Sequence, residues 1–299
     1  MRRLRVLLGV PGSGMLSEEV AQSSFHACLK HDVFRVPSCT SGPNFNKVWT
    51  TALNGDWDIL AMMHTDITIL EKQPHWMGTS QRWCDVGIDE LLKGGYDFLS
   101  TPMAIKDIRG ITATGIGNPR NRFNPWKRFT TAELESIPMT FTIDDTPYKD
   151  KFLIHSGALC FWDMRKPLWR KPNLDGTCRF IYNFTETILK VDGSWVCMQE
   201  SEDWAYSRAL WEAGAKTAVT RKICYLHQGR FDFPNFGDGG THAVDEDTAP
   251  QWRGDSGRVT DVSPRPNANR GKGKARAAHH RASRLAGEDG RHNGGYRRV

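Results

Sequence analysis

The chain opens with continuous apolar runs at 4–10, 32–36 and 58–63, separated by amphipathic stretches at 17–30 and 44–53. Runs of that length read as strands and the stretches between them as helices, so the first sixty residues predict a β-α-β-α-β order. The strand runs are continuous rather than alternating in polarity, as expected for parallel strands covered on both faces by helices. The pattern therefore predicts an α/β architecture with a Rossmann-like, mainly parallel sheet flanked by helices. Ligands of such sheets bind beyond the carboxyl ends of the strands, which directs attention to the residues just after 10, 36 and 63.

The third of these strands delivers His64-Thr65-Asp66-Ile67. An imidazole and a carboxylate two residues apart at a strand end can address one divalent cation, which in turn can hold a diphosphate. Equally, Asp66 can cap a turn and His64 can be a satisfied core histidine. A strand at 96–100 leads into 101–129, whose density of Gly, Pro and Asn predicts an irregular loop. Such a loop either closes over a ligand, with Lys106 or Arg109 meeting phosphate, or carries solvated charge. Further on, His155-Ser156-Gly157-Ala158 precedes an apolar strand, and Gly157 either lets the backbone approach a ligand or marks a bulge. Ser201 reads as the N-cap of a helix ending at Gly214, with Glu202 and Asp203 in its first turn, where the helix dipole alone favours acids. The segment 222–227 reads as a strand ending in His227.

Taken in order, the strand-end His-Thr-Asp, the glycine strand, the Glu-Asp helix start and the strand-end histidine resemble the GT-A fold glycosyltransferases, particularly the family 2-like group. The likeness spans roughly 4–230. It implies transfer of a sugar from a nucleotide-sugar donor, UDP-linked by preference, to an acceptor hydroxyl with a divalent metal, Mn²⁺ or Mg²⁺. Residue by residue it implies Asp66, with His64 in the first Asp-x-Asp place, and His227 as metal ligands. It implies Asp203 as catalytic base and Glu202 as its positioning neighbour. Pro11, Ser13, Ser38, Asn46, Asp66, Lys106, Arg109 and Gly157 are the donor-side residues. Two departures stand out: His64 replaces an acid, lowering the negative charge of the site, and Pro11-Gly12-Ser13-Gly14 replaces the usual polar strand-end residues. The stretch 103–110 also looks like phage-encoded GT-A enzymes associated with glycosylation of hydroxymethylated DNA bases, such as 5-hydroxymethylcytosine.

Charge adds a separate element. Of the net +6, residues 264–299 hold +8, so the remainder of the chain carries −2. That segment has too few large apolar residues to offset its ordering entropy, and predicts a disordered polybasic tail after a globular part at 1–235 and a linker at 236–263. Such a tail suits a DNA acceptor, and equally any polyanion. No apolar run approaches the length of about 20 residues that spans a bilayer, and the basic start runs too soon into Pro11-Gly12 for a signal peptide. Seven scattered cysteines without a C-x-x-C pair read as reduced thiols, and the expected compartment is the cytoplasm, that of the host for a phage protein. A saccharide or protein acceptor stays open. Two other classes compete: a nucleotidyltransferase, disfavoured because Gly9–Gly14 carries no basic residue, and a non-catalytic nucleic-acid-binding protein on a degenerate transferase domain.

Overall fold

The predicted order at the start of the chain is realised by β1 (Arg5–Pro11), α1 (Glu18–Phe25), β2 (Asp32–Ser38), α2 (Pro43–Asn54) and β3 (Ile59–Met63). The computed structural model describes residues 3–11, 17–38, 43–70, 82–106, 109–229 and 232–235, so the expected linker and basic tail lie outside the described residues. β1 pairs in parallel with β2 on one side and β3 on the other, which sets Pro11 beside Ser38 at the strand ends. Ser17 caps α1 by accepting a hydrogen bond from the Val20 amide. The helix is shorter than the predicted 17–30 because the buried Asp85 carboxylate accepts the Leu29 and Lys30 amides at 2.9 and 3.1 Å, drawing the chain out of helical geometry.

Next come β4 (Ile67–Ile69), α3 (Trp83–Gly94), β5 (Phe98–Ser100), β6 (Ile111–Gly117), β7 (Lys127–Thr130), α4 (Thr131–Glu135), β8 (Thr140–Phe141), β9 (Phe152–Ile154) and β10 (Leu159–Asp163). The described chain finishes with β11 (Thr185–Val191), β12 (Ser194–Glu200), α5 (Glu202–Glu212), β13 (Thr217–Thr220), β14 (Tyr225–Gln228) and β15 (Asp232–Pro234). Seven strands form the central sheet in the order β2-β1-β3-β10-β5-β13-β8. It is mixed rather than mainly parallel, because β10 runs antiparallel to both β3 and β5, and β8 antiparallel to β13. The buried run of β10 satisfies both sheet faces whichever way it points. Its antiparallel pairing with β3 continues into the preceding turn, where the Ala158 carbonyl accepts the His64 amide at 2.7 Å at the β3 exit.

Alternate residues of β10 face opposite layers. Leu159 and Phe161 join Val6, Leu8 and the α3 residues Trp83, Ile88 and Leu91 in one core cluster. Cys160 and Trp162 join Trp49 of α2 and Tyr206 and Leu210 of α5 in the other. Among the described residues no helix is long and apolar enough to cross a membrane.

The segment 101–129 is not the irregular loop its composition predicts. β6 pairs antiparallel with β7 and with β9 in a separate three-stranded sheet. Its glycines are there for close approach: a Cβ on Gly115 would meet the Lys127 carbonyl at 2.3 Å, and one on Gly117 the Phe152 ring at 2.1 Å. Gly115→Ala is therefore expected to lower stability by about 1–3 kcal/mol. The reduced urea midpoint should come with an unchanged denaturant slope, and an unaltered midpoint would show that β7 can yield.

Candidate active site

Five separated segments come together around the exit of β3. The exit of β3 carries His64 and Asp66, and Asp66 leads directly into β4. β14 pairs antiparallel with β4, placing His227 opposite Ile67 and its ring against the Asp66 side chain. The segment after β5 is braced along β6 by Ala113 N–H to the Met103 carbonyl and Ile105 N–H to the Ile111 carbonyl, and so brings up Lys106. The turn before β10 contributes Gly157, and the first turn of α5 contributes Asp203.

Asp66 is the common partner of the first group. His64 Nδ1 meets its Oδ1; His227 Nε2 stands 3.1 Å from Oδ2, and Lys106 Nζ donates to Oδ2 at 2.6 Å. Burial alone would push the Asp66 carboxyl up. Hydrogen bonds from His227 and His64, the charge of His64 and the Lys106 ammonium overcome that and hold it well below the usual carboxylate range.

The ring orientation of His227 bears on a metal. Its Nδ1 lies 2.7 Å from the Ala104 carbonyl, which can only accept, so Nδ1 carries the hydrogen. Nε2 therefore donates to Asp66 Oδ2, as the hydrogen bond above requires, only when both ring nitrogens are protonated; in the neutral ring it presents a lone pair that a cation could bridge to the carboxylate. Two ligands each about 2.1 Å from an octahedral cation lie about 3 Å apart, close to the spacing seen here. By spacing alone Asp66 Oδ2 and His227 Nε2 could be two ligands of such a cation, but Lys106 already donates to that oxygen and would have to turn away, while His64 addresses the other carboxylate oxygen. Among the described residues no group of three or more His, Cys, Asp or Glu side chains is arranged to hold a metal ion.

Asp203 sits in the opposite environment. Burial pushes its carboxyl up and the neighbouring Glu202 adds to the effect; the Gly157 amide, His64 and Arg128 offset part of it, and the result is about 7. A Cβ on Gly157 would lie 2.9 Å from Asp203 Oδ1 and 3.6 Å from the Phe45 ring. Phe45 in turn stacks on His64, the partner of Asp66, with ring centroids 6.0 Å apart, so Phe45 and His64 link the surroundings of the two carboxylates. Beneath them, Ser207 Oγ donates to the Asp203 carbonyl at 2.6 Å and accepts the His155 amide at 2.9 Å, fastening α5 to the turn. Burial pushes His155 down to about 3, which keeps it a neutral core histidine on Ser100.

The remaining expected residues separate. Pro11 and Ser38 lie at adjacent strand ends as predicted, while Ser13 lies outside the described residues. Asn46 donates to the Tyr182 carbonyl and accepts the Tyr182 amide, so its carboxamide ties α2 to the segment before β11. Lys106 meets a carboxylate, and Arg109 is partly buried just before β6. Ser201 occupies the N-cap position of α5 without a side-chain cap bond, and Glu202 is exposed. Phe45, Arg128 and the Ala104 carbonyl were not identifiable beforehand, since nothing in their local sequence marks a ring against a histidine or an acceptor for one.

No protein-family model matches the chain, and no curated protein sequence matches it. Among solved structures, A197 from STIV is similar over 75% of this chain and 85% of its own, at 11% identity and a TM-score of 0.43. A likeness of that size carries no argument about fold or activity.

Asp203 releases its proton near 7 when folded against an ordinary value of 3.8. The unfolded chain therefore loses this proton first as pH rises, and the associated stability declines between about 4 and 7 and is level above. Against Asp203→Asn, which has no such proton, the wild-type urea midpoint should fall progressively across that window. A difference constant from pH 4 to 8 would show that Asp203 titrates as an ordinary carboxyl.

Proposed function

We propose that the chain is a glycosyltransferase that moves a sugar from a nucleotide-sugar donor to an acceptor hydroxyl, with a GT-A type of site. The observation that carries this reading is a pair of carboxylates, both under the influence of His64, whose surroundings drive their proton affinities apart: Asp66 held ionised among nitrogen-bearing side chains, and Asp203 raised to about 7. Such divergence is how two acids of the same kind take different roles at neutral pH. Asp66 is the charge-bearing group and Asp203 the proton-transfer group.

On this reading the donor diphosphate lies at the ends of β1 and β3, with Lys106 as a cationic partner for its oxygens. A divalent cation, when bound by Asp66 and His227, supplies charge neutralisation for the departing nucleoside diphosphate. Asp203, near half-ionised at neutral pH, accepts the proton from the acceptor hydroxyl. As that O–H bond breaks, the oxygen bonds to the anomeric carbon, and the carbon–oxygen bond to the diphosphate breaks with its electron pair leaving on the diphosphate. The Gly157 amide holds the Asp203 carboxylate in place during the transfer.

The first test is thermal stabilisation by a panel of nucleotide sugars with Mn²⁺ or with chelator. One donor should stabilise the wild type with metal, and Asp66→Ala should lose that response; stabilisation by no donor would overturn the reading. Asp203→Asn should keep donor stabilisation while transfer falls by about 10²–10⁴-fold. Retained transfer in both variants would remove these assignments.

A further inference from the structure

β11 and β12 form a two-stranded sheet of their own, so among the described residues each keeps one edge without a strand partner. The two residues between them, Asp192 and Gly193, both have positive φ, 48° and 85°. That is the hairpin turn that joins two strands through a hydrogen-bonded pair, here Val191 with Ser194. Hydrogen-bonded pairs alternate from there. Leu189, Thr187 and Thr185 therefore turn their main-chain groups toward β12, while Lys190, Ile188 and Glu186 turn theirs to the open edge. A hairpin alone is marginal in water, and an edge with unpaired main-chain groups is a template for a further strand.

The exposed face of this hairpin is apolar at its centre. Ile188 is 66% exposed and Trp195 72%, and the register sets Ile188 beside Cys197 and Lys190 beside Trp195 on one face. Charges flank that centre on β11, Glu186 two residues before Ile188 and Lys190 two residues after it. Glu186 Oε1 accepts a hydrogen bond from Gln199 Nε2 at 2.7 Å, and Lys190 Nζ lies 5.9 Å from the centre of the Trp195 ring. Among the described residues neither charge is in an ion pair.

This spacing makes β11 complementary to itself. When a strand pairs antiparallel with its own copy about a two-fold axis, residues equally far from the centre face each other. With Ile188 at the centre, it meets Ile188 of the second copy, and each Glu186 meets the Lys190 of the other chain. These are the residues whose main-chain groups point outward, and each such pair exchanges two main-chain hydrogen bonds. Opposite charges directly across a pair of strands are favourable, like charges unfavourable. The other open edges lack this match. Pairing of β12 about Cys197 sets Trp195 against Gln199, and pairing of the edge strand β2 about Arg35 sets arginine against arginine.

We propose that the open edge of β11 is a homodimer interface, at which two copies of the chain join their hairpins into one four-stranded antiparallel sheet about a two-fold axis through Ile188. On the exposed face of that sheet Cys197 and Ile188 of one copy run into Ile188 and Cys197 of the other, which turns two small apolar patches into one continuous row. Each Glu186 keeps Oε1 on Gln199 and offers Oε2 to the lysine of the other copy. None of the residues assigned to sugar transfer lies on the hairpin, so dimerisation is independent of the transferase reading.

The test is sedimentation velocity of the full-length chain over a range of concentrations, freed of nucleic acid and kept reduced. Wild type should sediment at twice the mass of one chain. Glu186→Lys sets lysine against lysine on both flanks of the axis, and Lys190→Glu sets glutamate against glutamate. Each alone should raise the dissociation constant by about tenfold or more. Two further samples separate a lost interface from lost folding. The exchange Glu186→Lys with Lys190→Glu in one chain restores opposite charges and should dimerise as wild type does. An equimolar mixture of the two single variants should form a heterodimer at concentrations where each alone is a monomer. A monomeric wild type, single variants that dimerise as tightly as wild type, or an exchange variant and a mixture that both stay monomeric would overturn the proposal.

Discussion

The contact between Gly157 and Asp203 is where the architecture and the chemistry meet. Without a Cβ, Gly157 lets the first turn of α5 close onto the turn that feeds β10, and its amide faces the Asp203 carboxylate. Ser207 and His155 fasten the same junction one helical turn further on. Because β10 is the central strand of the sheet, displacement of this turn would be felt in both core layers. The same closeness withdraws Asp203 from water, and that desolvation raises its proton affinity. Packing and proton affinity therefore have one cause.

Asp66 shows the converse. It too is drawn partly out of water, yet three nitrogen-bearing side chains from β3, β14 and the segment after β5 converge on its two oxygens. The cost of withdrawing the charge is more than offset by charge-assisted bonds. Sequence neighbours contribute only His64 to this group. Lys106 and His227 arrive 40 and 161 residues later in the chain, through the pairing of β4 with β14 and the bracing of 103–105 along β6.

The β7-β6-β9 sheet packs against α5 through β9 and β6. Its tight glycine contacts pull the basic 118–128 segment against α5, where Arg128 meets Trp204 and contributes to the field at Asp203. A region whose composition reads as loosely organised is in fact held by backbone pairing, because glycines that would break a solitary strand permit the closest approach between neighbouring ones.

Legible along the chain were the β-α-β-α-β start and the placing of His64 and Asp66 just after β3, of Asp203 in the first turn of α5 and of His227 in a late strand, because those depend on local periodicity and on residues adjacent in the chain. The direction of β10, the strands within 101–129 and the early end of α1 depend instead on contacts between distant parts of the chain. A buried apolar run is compatible with either direction, glycine is compatible with a break or with a close contact, and the Asp85 carboxylate that ends α1 lies more than fifty residues away from it. The opposite ionisation of two aspartates was likewise invisible along the chain. Proton affinity follows from which distant groups surround a carboxylate and how much water they exclude, and folding alone brings those groups together.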